Sequence, residues 1–419
     1  MHLTPMSRRR FGALSAAGLM AACATPRQVL DTDIQLALEN HVAENDLAAA
    51  GIVVKIGSTV IASGAVGAAA GLSDTEQAAG IPVRPFTTRT PFRVASQSKS
   101  AVALAAVRLA ALGVIDLGAD VSRYLDQPLK HPDSPGTPIT LAMLLSHTSA
   151  IRDPATYWVA APGRISEILG PDIYAPLNGR RPGAYFEYAN LNFGLAATAL
   201  EAAAGERFDL LMRNLLFAPA GLDVGFNWSG VPLEKRARGA SLYRRDGAGT
   251  WSVQTDGPDA LNGTAPTVLV EPGRNLSHYR LGTNGTLFSP QGGLRASLED
   301  LVVLADLYAD TPAMMEPLWT LNADRSNGNH DDAFFQRAGL GLIGYSAEHS
   351  PLAGSRIWGH HGEAYGLHGA FWIVPDRAAT IAYAAIGVPE RRHPAVGHSG
   401  LNKFTAPLFS LASEAIVSA

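Results

Sequence analysis

The chain has 419 residues, 47% of them hydrophobic and 17% charged, with a formal net charge of −4. That length can bury a sizeable core, and the composition is that of a soluble globular protein. The near-neutral charge, with no basic run interleaved with aromatics, excludes a nucleic-acid-binding footprint, and a lone cysteine, Cys23, excludes an internal disulfide.

Residues 1–24 differ from the rest. Ser7-Arg8-Arg9-Arg10-Phe11 is a charged n-region, and 11–22 is an apolar stretch too short to span a bilayer. The arginines followed by Phe11 resemble a twin-arginine export signal. Leu19-Met20-Ala21-Ala22-Cys23 resembles a lipobox, which predicts Cys23 as a lipidated N-terminus. Cleavage after Ala22-Cys23-Ala24 is the competing expectation. No other segment has the roughly 18 uninterrupted apolar residues of a span. The expected location is therefore the periplasm, with the membrane touched only through a lipid anchor.

Apolar spacing predicts a helix over 29–47. Strands at 51–56 and 60–66 around Gly57-Ser58 read as a hairpin. After a loop, Phe92-Arg93-Val94-Ala95 leads to Ser96. The stretch 99–112 is hydrophobic almost all round, a buried central helix ended at Gly113. Residues 120–225 read as mainly helical, with a capped helix at 140–147 and another at 191–204 before Gly205. Residues 230–290, polar and rich in Gly, Pro and Arg, read as an insertion or a long loop over a site. A helix follows at 297–309, and 322–338 is polar. Strands at 356–360, 369–374 and 380–386 form an antiparallel meander, and a helix over 402–417 closes the chain. Strands at both ends predict an α/β (α+β) fold: one antiparallel sheet built from both chain ends and flanked by helices, with a mostly helical subdomain inserted at about 115–340. One main domain is expected to span 28–419.

Ser96-Gln97-Ser98-Lys99 carries the first chemical signal. Of five lysines, only Lys99 has a serine three residues before it. That spacing on a helix sets a hydroxyl beside an amine. A serine is a poor nucleophile until a base takes its proton, and a lysine acts as base only when burial or a helix N-terminus depresses its pKa. Tyr188-Ala189-Asn190 stands just before a helix; of eleven tyrosines only Tyr188 has Asn two residues on. His360-His361-Gly362 is expected to end a strand. His398-Ser399-Gly400 repeats the pattern, but only the first has a strand running into it and another after Gly366.

The order Ser-x-x-Lys, Tyr-x-Asn, His-x-Gly is similar to the penicillin-recognising serine hydrolases: class C β-lactamases, serine DD-peptidases and related carboxylesterases. Leu144-Leu145-Ser146-His147-Thr148-Ser149 and Gln291 to Ser297 resemble flanking segments of that family, and the resemblance covers roughly 30–415. It implies Ser96 as nucleophile, with Lys99 or Tyr188 as base. It implies Asn190 holding the substrate amide or the lysine. His360 stands where β-lactamases have lysine, to orient a carboxylate or assist Tyr188. The backbone N–H groups of Ser96 and of Glu363, after Gly362, would form the oxyanion hole. A Glu there narrows the pocket or disfavours an anionic substrate.

The structural alternatives are a helix cap for Ser96, a helix-entry turn for Tyr188 and Asn190, and a packed histidine for His360. His147 is expected to be packed or capping rather than catalytic. His360, His361 and His368 invite zinc, but lack a nearby Cys or convincing carboxylate spacing, so neither metal nor cofactor is expected. The expected function is an exported serine hydrolase acting on a small-molecule or peptide substrate, an amide or an ester. A carboxylesterase and a catalytically silent binding protein on the same fold are the alternatives. The absence of Lys-Thr-Gly argues against an efficient β-lactamase.

Overall fold

The computed structural model describes residues 26–246, 248–254, 276, 278–329, 335–389 and 400–419. The leader with Cys23, most of 255–277 and His398 therefore lie outside the described residues. Helix α1 (Pro26–Glu44) precedes the hairpin β1 (Ala49–Ile56) and β2 (Thr59–Ala70), then the short β3 (Arg84–Pro85). Next come helices α2 (Ser98–Ala111), α3 (Leu191–Ala204) and α4 (Leu298–Ala309). Short strands β4 (Trp319–Thr320), β5 (Arg337–Ala338) and β6 (Ile343–Tyr345) lead into a long meander. It consists of β7 (Ile357–Ala364), β8 (Leu367–Val374) and β9 (Ala379–Ile386), and α5 (Ala406–Ser418) follows.

Among the described residues, these nine strands form one sheet in the order β4-β5-β6-β7-β8-β9-β1-β2-β3. The two ends of the chain meet at its centre, where β1 and β9 run antiparallel with Ala49 opposite Ile386 and Ile56 opposite Ala379. Both strands are apolar on both faces, because side chains alternate between two cores. Val53, Ala382 and Ala384 join the core under α2, α3 and α4; Ile52, Val54, Ile381 and Tyr383 join the one under α1 and α5. Each Val- or Ile-sized side chain so buried contributes about 1.5–3 kcal/mol. Helix α2 has no polar face because it crosses the larger core: Ala101 through Ala106 are fully buried.

The departures from expectation have local causes. α1 stops at Glu44 rather than 47, because Asp46 takes a left-handed φ of 50°. α5 starts at Ala406 rather than 402, because the Asn402 side chain accepts the Phe404 N–H at 3.0 Å and fixes a turn. β7 does not end at His360-His361-Gly362 but runs through it to Ala364. Residues 120–225 are less helical than expected. Besides α3 they hold short helices such as Leu141–Leu145 and Phe208–Met212, and the prolines between 154 and 182 keep much of the rest irregular. The 230–290 segment contains a small hairpin, Leu242–Arg245 paired with Trp251–Gln254. No described helix is long and apolar enough to cross a membrane.

Candidate active site

Ser96 sits in a single 3₁₀ turn, Ala95–Gln97, at the entrance to α2. Ala95 has φ of 51°, a left-handed conformation that costs a residue with a Cβ about 1–2 kcal/mol. Three contacts hold it. Ser98 Oγ donates to Ala95 O at 2.6 Å, Gln97 Nε2 donates to Val94 O at 3.1 Å, and Val94 N donates to Leu294 O at 3.1 Å. The strain turns Ser96 toward a pocket of about 370 Å³ whose walls include Tyr188, Asn190, His360 and Glu363.

Lys99 lies one turn further along α2 and is fully buried. Its Nζ is 2.9 Å from each of three oxygens: Ser96 Oγ, Asn190 Oδ1 and the Gln291 carbonyl. Burial pulls its pKa down to about 7, and the Asp153 charge opposes part of that shift. Two of the three oxygens are carbonyls, which only accept. A neutral amine has two N–H bonds and one lone pair. With the N–H bonds given to Asn190 and Gln291, the lone pair faces the Ser96 hydroxyl.

Tyr188 and Asn190 enter from the opposite side, just ahead of α3. The Tyr188 hydroxyl faces Ser96 in the same pocket. Burial pushes the phenol up, well above its ordinary value, although Ser96 opposes this, so it keeps its proton at neutral pH. Lys99 Nζ stands 5.0 Å from the centre of the Tyr188 ring. His147 holds this segment from behind. Its carbonyl accepts Glu187 N at 2.8 Å, its Nδ1 accepts Ala189 N at 3.1 Å, and its ring stacks on Tyr188 at 4.3 Å. His147 is thus a packed, bracing residue, as the sequence suggests.

Strand β7 supplies the remaining wall. His360 is buried with its ring 6.3 Å from that of Tyr188. Its Nδ1 donates to His361 O at 2.6 Å, which leaves Nε2 an acceptor. Burial, with Lys99 adding to it, pulls its pKa down to about 3, so it is neutral at pH 7. His361 instead packs edge-on against Trp372, at 4.9 Å. His368 meets the Glu363 carboxylate at 3.3 Å and Asn402 at 2.9 Å. Among the described residues, no three His, Cys, Asp or Glu side chains group as metal ligands. At Gly362 the strand runs hard against the Ser96 turn. A Cβ there would lie 2.3 Å from Val94 O and 2.8 Å from Gln97 Nε2. Glu363 follows at the pocket, its side chain 46% exposed. Tyr365, at the rim, is approached by Arg93 at 5.5 Å and by Arg244 of the small hairpin at 4.7 Å.

The structure therefore brings Ser96, Lys99, Tyr188, Asn190, His360, Gly362 and Glu363 to one pocket. Asp153 joins them with no place in the sequence argument, and the Gln291 carbonyl and the left-handed Ala95 join from segments to which the sequence assigned no site role. An N-cap-type residue 37 positions before the Asn190 it meets has no local signal that ties the two together.

Comparisons with known proteins place the chain by family and by fold. The chain is 30% identical over 139 residues to D-alanyl-D-alanine-carboxypeptidase/endopeptidase AmpH of Escherichia coli (strain K12), covering 31% of this chain and 35% of that protein. It is 32% identical over 177 residues to Esterase EstB of Burkholderia gladioli, covering 38% of this chain and 43% of that protein. The chain spans less than half the length of these curated relatives. D-amino acid amidase from Ochrobactrum anthropi SV3, solved with L-phenylalanine amide, superposes with a TM-score of 0.63 at 19% identity, over 93% of this chain and 99% of that one. This last likeness shows the shared fold. The Beta-lactamase family matches residues 37–399, most of the chain, and the chain belongs to that family.

Proposed function

We propose that the chain is a serine hydrolase that cleaves an amide or ester through an acyl-Ser96 intermediate. The observation that carries this is the buried Lys99 amine, 2.9 Å from Ser96 Oγ with its pKa pulled down to about 7. Lys99 takes the Ser96 proton as Oγ attacks the acyl carbon. Tyr188, protonated at neutral pH, gives its proton to the departing amine or alcohol and is re-protonated from Lys99. Water then releases the acyl group by the reverse route. The backbone N–H groups of Ser96 and Glu363 stabilise the oxyanion, and Gly362 allows the strand carrying Glu363 to approach the Ser96 turn. Asn190 holds Lys99 through its amide oxygen.

His360, neutral at pH 7, offers no cation to a substrate carboxylate, and the Glu363 carboxylate repels one. At His360 and Glu363 a neutral ester or amide therefore meets less opposition than a β-lactam, with Arg93 the one cation among the described residues that line the pocket. The test is intact-mass analysis of the full chain after a fluorophosphonate probe, with rates on a p-nitrophenyl ester, a D-Ala-D-Ala peptide and nitrocefin. One adduct is expected, lost in Ser96→Ala, with nitrocefin turned over slowest. A folded protein that no acyl probe labels would sink the proposal.

We further propose that this hydrolase works in the periplasm on a lipid anchor at Cys23, a reading supported by the arginine cluster, the apolar 11–22 and the lipobox-like 19–23. Radiolabelled palmitate should enter the wild-type protein and not Cys23→Ser. Equal labelling of both would refute the anchor.

A further inference from the structure

Asp153 lies in no motif, yet it grips the active site at two points. Its Oδ1 accepts the Leu191 N–H at 2.8 Å, one of the free donors that open α3. Its Oδ2 accepts Asn190 Nδ2 at 2.9 Å. A carboxylate only accepts, so the Asn190 nitrogen must face it. The Asn190 oxygen is thereby turned toward Lys99 Nζ, also at 2.9 Å. Without that grip the amide is free to turn its NH₂ group toward the amine and spoil the alignment of the Lys99 lone pair.

We propose that Asp153 is a positioning residue for acylation: it fixes the Asn190 amide in the orientation that holds Lys99 against Ser96. The proposal rests on the reading of Ser96 and Lys99 as nucleophile and base. The surroundings of Lys99 leave Asp153 as the charge that matters. Ser96 is a hydroxyl, Tyr188 is kept protonated by burial, and burial holds the His147 and His360 rings neutral at pH 7. The charged lining residues Glu363 and Arg93 act on Tyr188 and Tyr157. Asp153 alone opposes the desolvation of the amine.

The sign follows. Removing a negative charge beside an amine disfavours its protonated form, so Lys99 should lose its proton at lower pH in Asp153→Asn. The experiment is an NMR titration of the full chain carrying ¹³C-labelled lysine, in parallel with the pH profile of Ser96 labelling by fluorophosphonate. The five lysine signals are resolved by the loss of one in Lys99→Met. In Asp153→Asn the Lys99 midpoint should fall by about one pH unit, the acid limb of labelling should fall with it, and the plateau rate should drop about tenfold or more. Asp153→Glu, which keeps the charge, should titrate near the wild type. Should Asp153→Asn not fold, Asp153→Ser keeps an acceptor for Leu191 N–H and carries the same expectation. A midpoint that stays put or rises overturns the proposal. The NMR midpoint needs no catalysis: a wild type that is never labelled sinks the hydrolase reading, while a labelled wild type with an unshifted variant sinks the role of Asp153 alone.

Discussion

Lys99→Met is expected to slow acylation of Ser96 by about 10²–10⁴-fold, the range a positioned general base supplies. Methionine fills nearly the same volume and carries no lone pair that can take a proton. The fold should survive, because the change also removes a buried amine that burial disfavours. Its cost is two oxygens, Asn190 Oδ1 and Gln291 O, left without their donor, at about 1–3 kcal/mol each if no water replaces it. The pH profile separates this from general damage. Below pH of about 7 the wild-type amine gains a third proton and has no lone pair for Ser96, so kcat/KM should fall tenfold per unit. Lys99→Met should lose that limb together with the rate. Measuring kcat/KM on a p-nitrophenyl ester between pH 5 and pH 9 checks both, and turnover equal to the wild type would refute the activation of Ser96 by Lys99.

Gly362→Ala should be nearly as damaging through geometry alone. The added methyl would meet Val94 O at 2.3 Å, a backbone atom that cannot swing aside. Either β7 moves out of the sheet or the Val94-Ala95 backbone shifts, and Ser96 moves with it. Overpacking of this kind costs about 1–3 kcal/mol, and displacing a nucleophile by about 1 Å costs on the order of a hundredfold in rate. Thermal unfolding and fluorophosphonate labelling rates report the two losses separately. A variant with wild-type labelling and melting temperature would show that the contact at Gly362 is dispensable.

These two positions show why part of the site was legible before the structure. Lys99 and Ser96 are neighbours on one helical turn, so their spacing alone puts them in contact. Tyr188 and Asn190 flank the start of α3, and short, nearly continuous apolar runs mark β1, β8 and β9 at the two ends of the chain. Histidines and a glycine in succession read as the end of a strand. β7 runs on because Gly362 lets it press against the Ser96 turn, a fact of packing rather than of pattern. Asp153 and Asn190, and Lys99 and Gln291, meet only through tertiary structure. Residues 120–225 form less helix than the sequence suggests, because prolines and glycines interrupt them. The left-handed Ala95 carries no signal at all, since alanine is not a residue that favours that conformation.

The meeting of β1 with β9 at the middle of the sheet has a consequence for the newborn chain. Ala49 must wait for Ile386 before its strand has neighbours on both sides, and such distant pairing is slow to form. Ser96 and Lys99 are synthesised early, but the wall bearing His360 and Glu363 arrives only with β7. On the proposed mechanism Ser96 therefore lacks one wall of its site until β7 has been made. Over the same interval the apolar edge of β1 stands open to other chains, so late completion of the site comes with a period of exposure to aggregation.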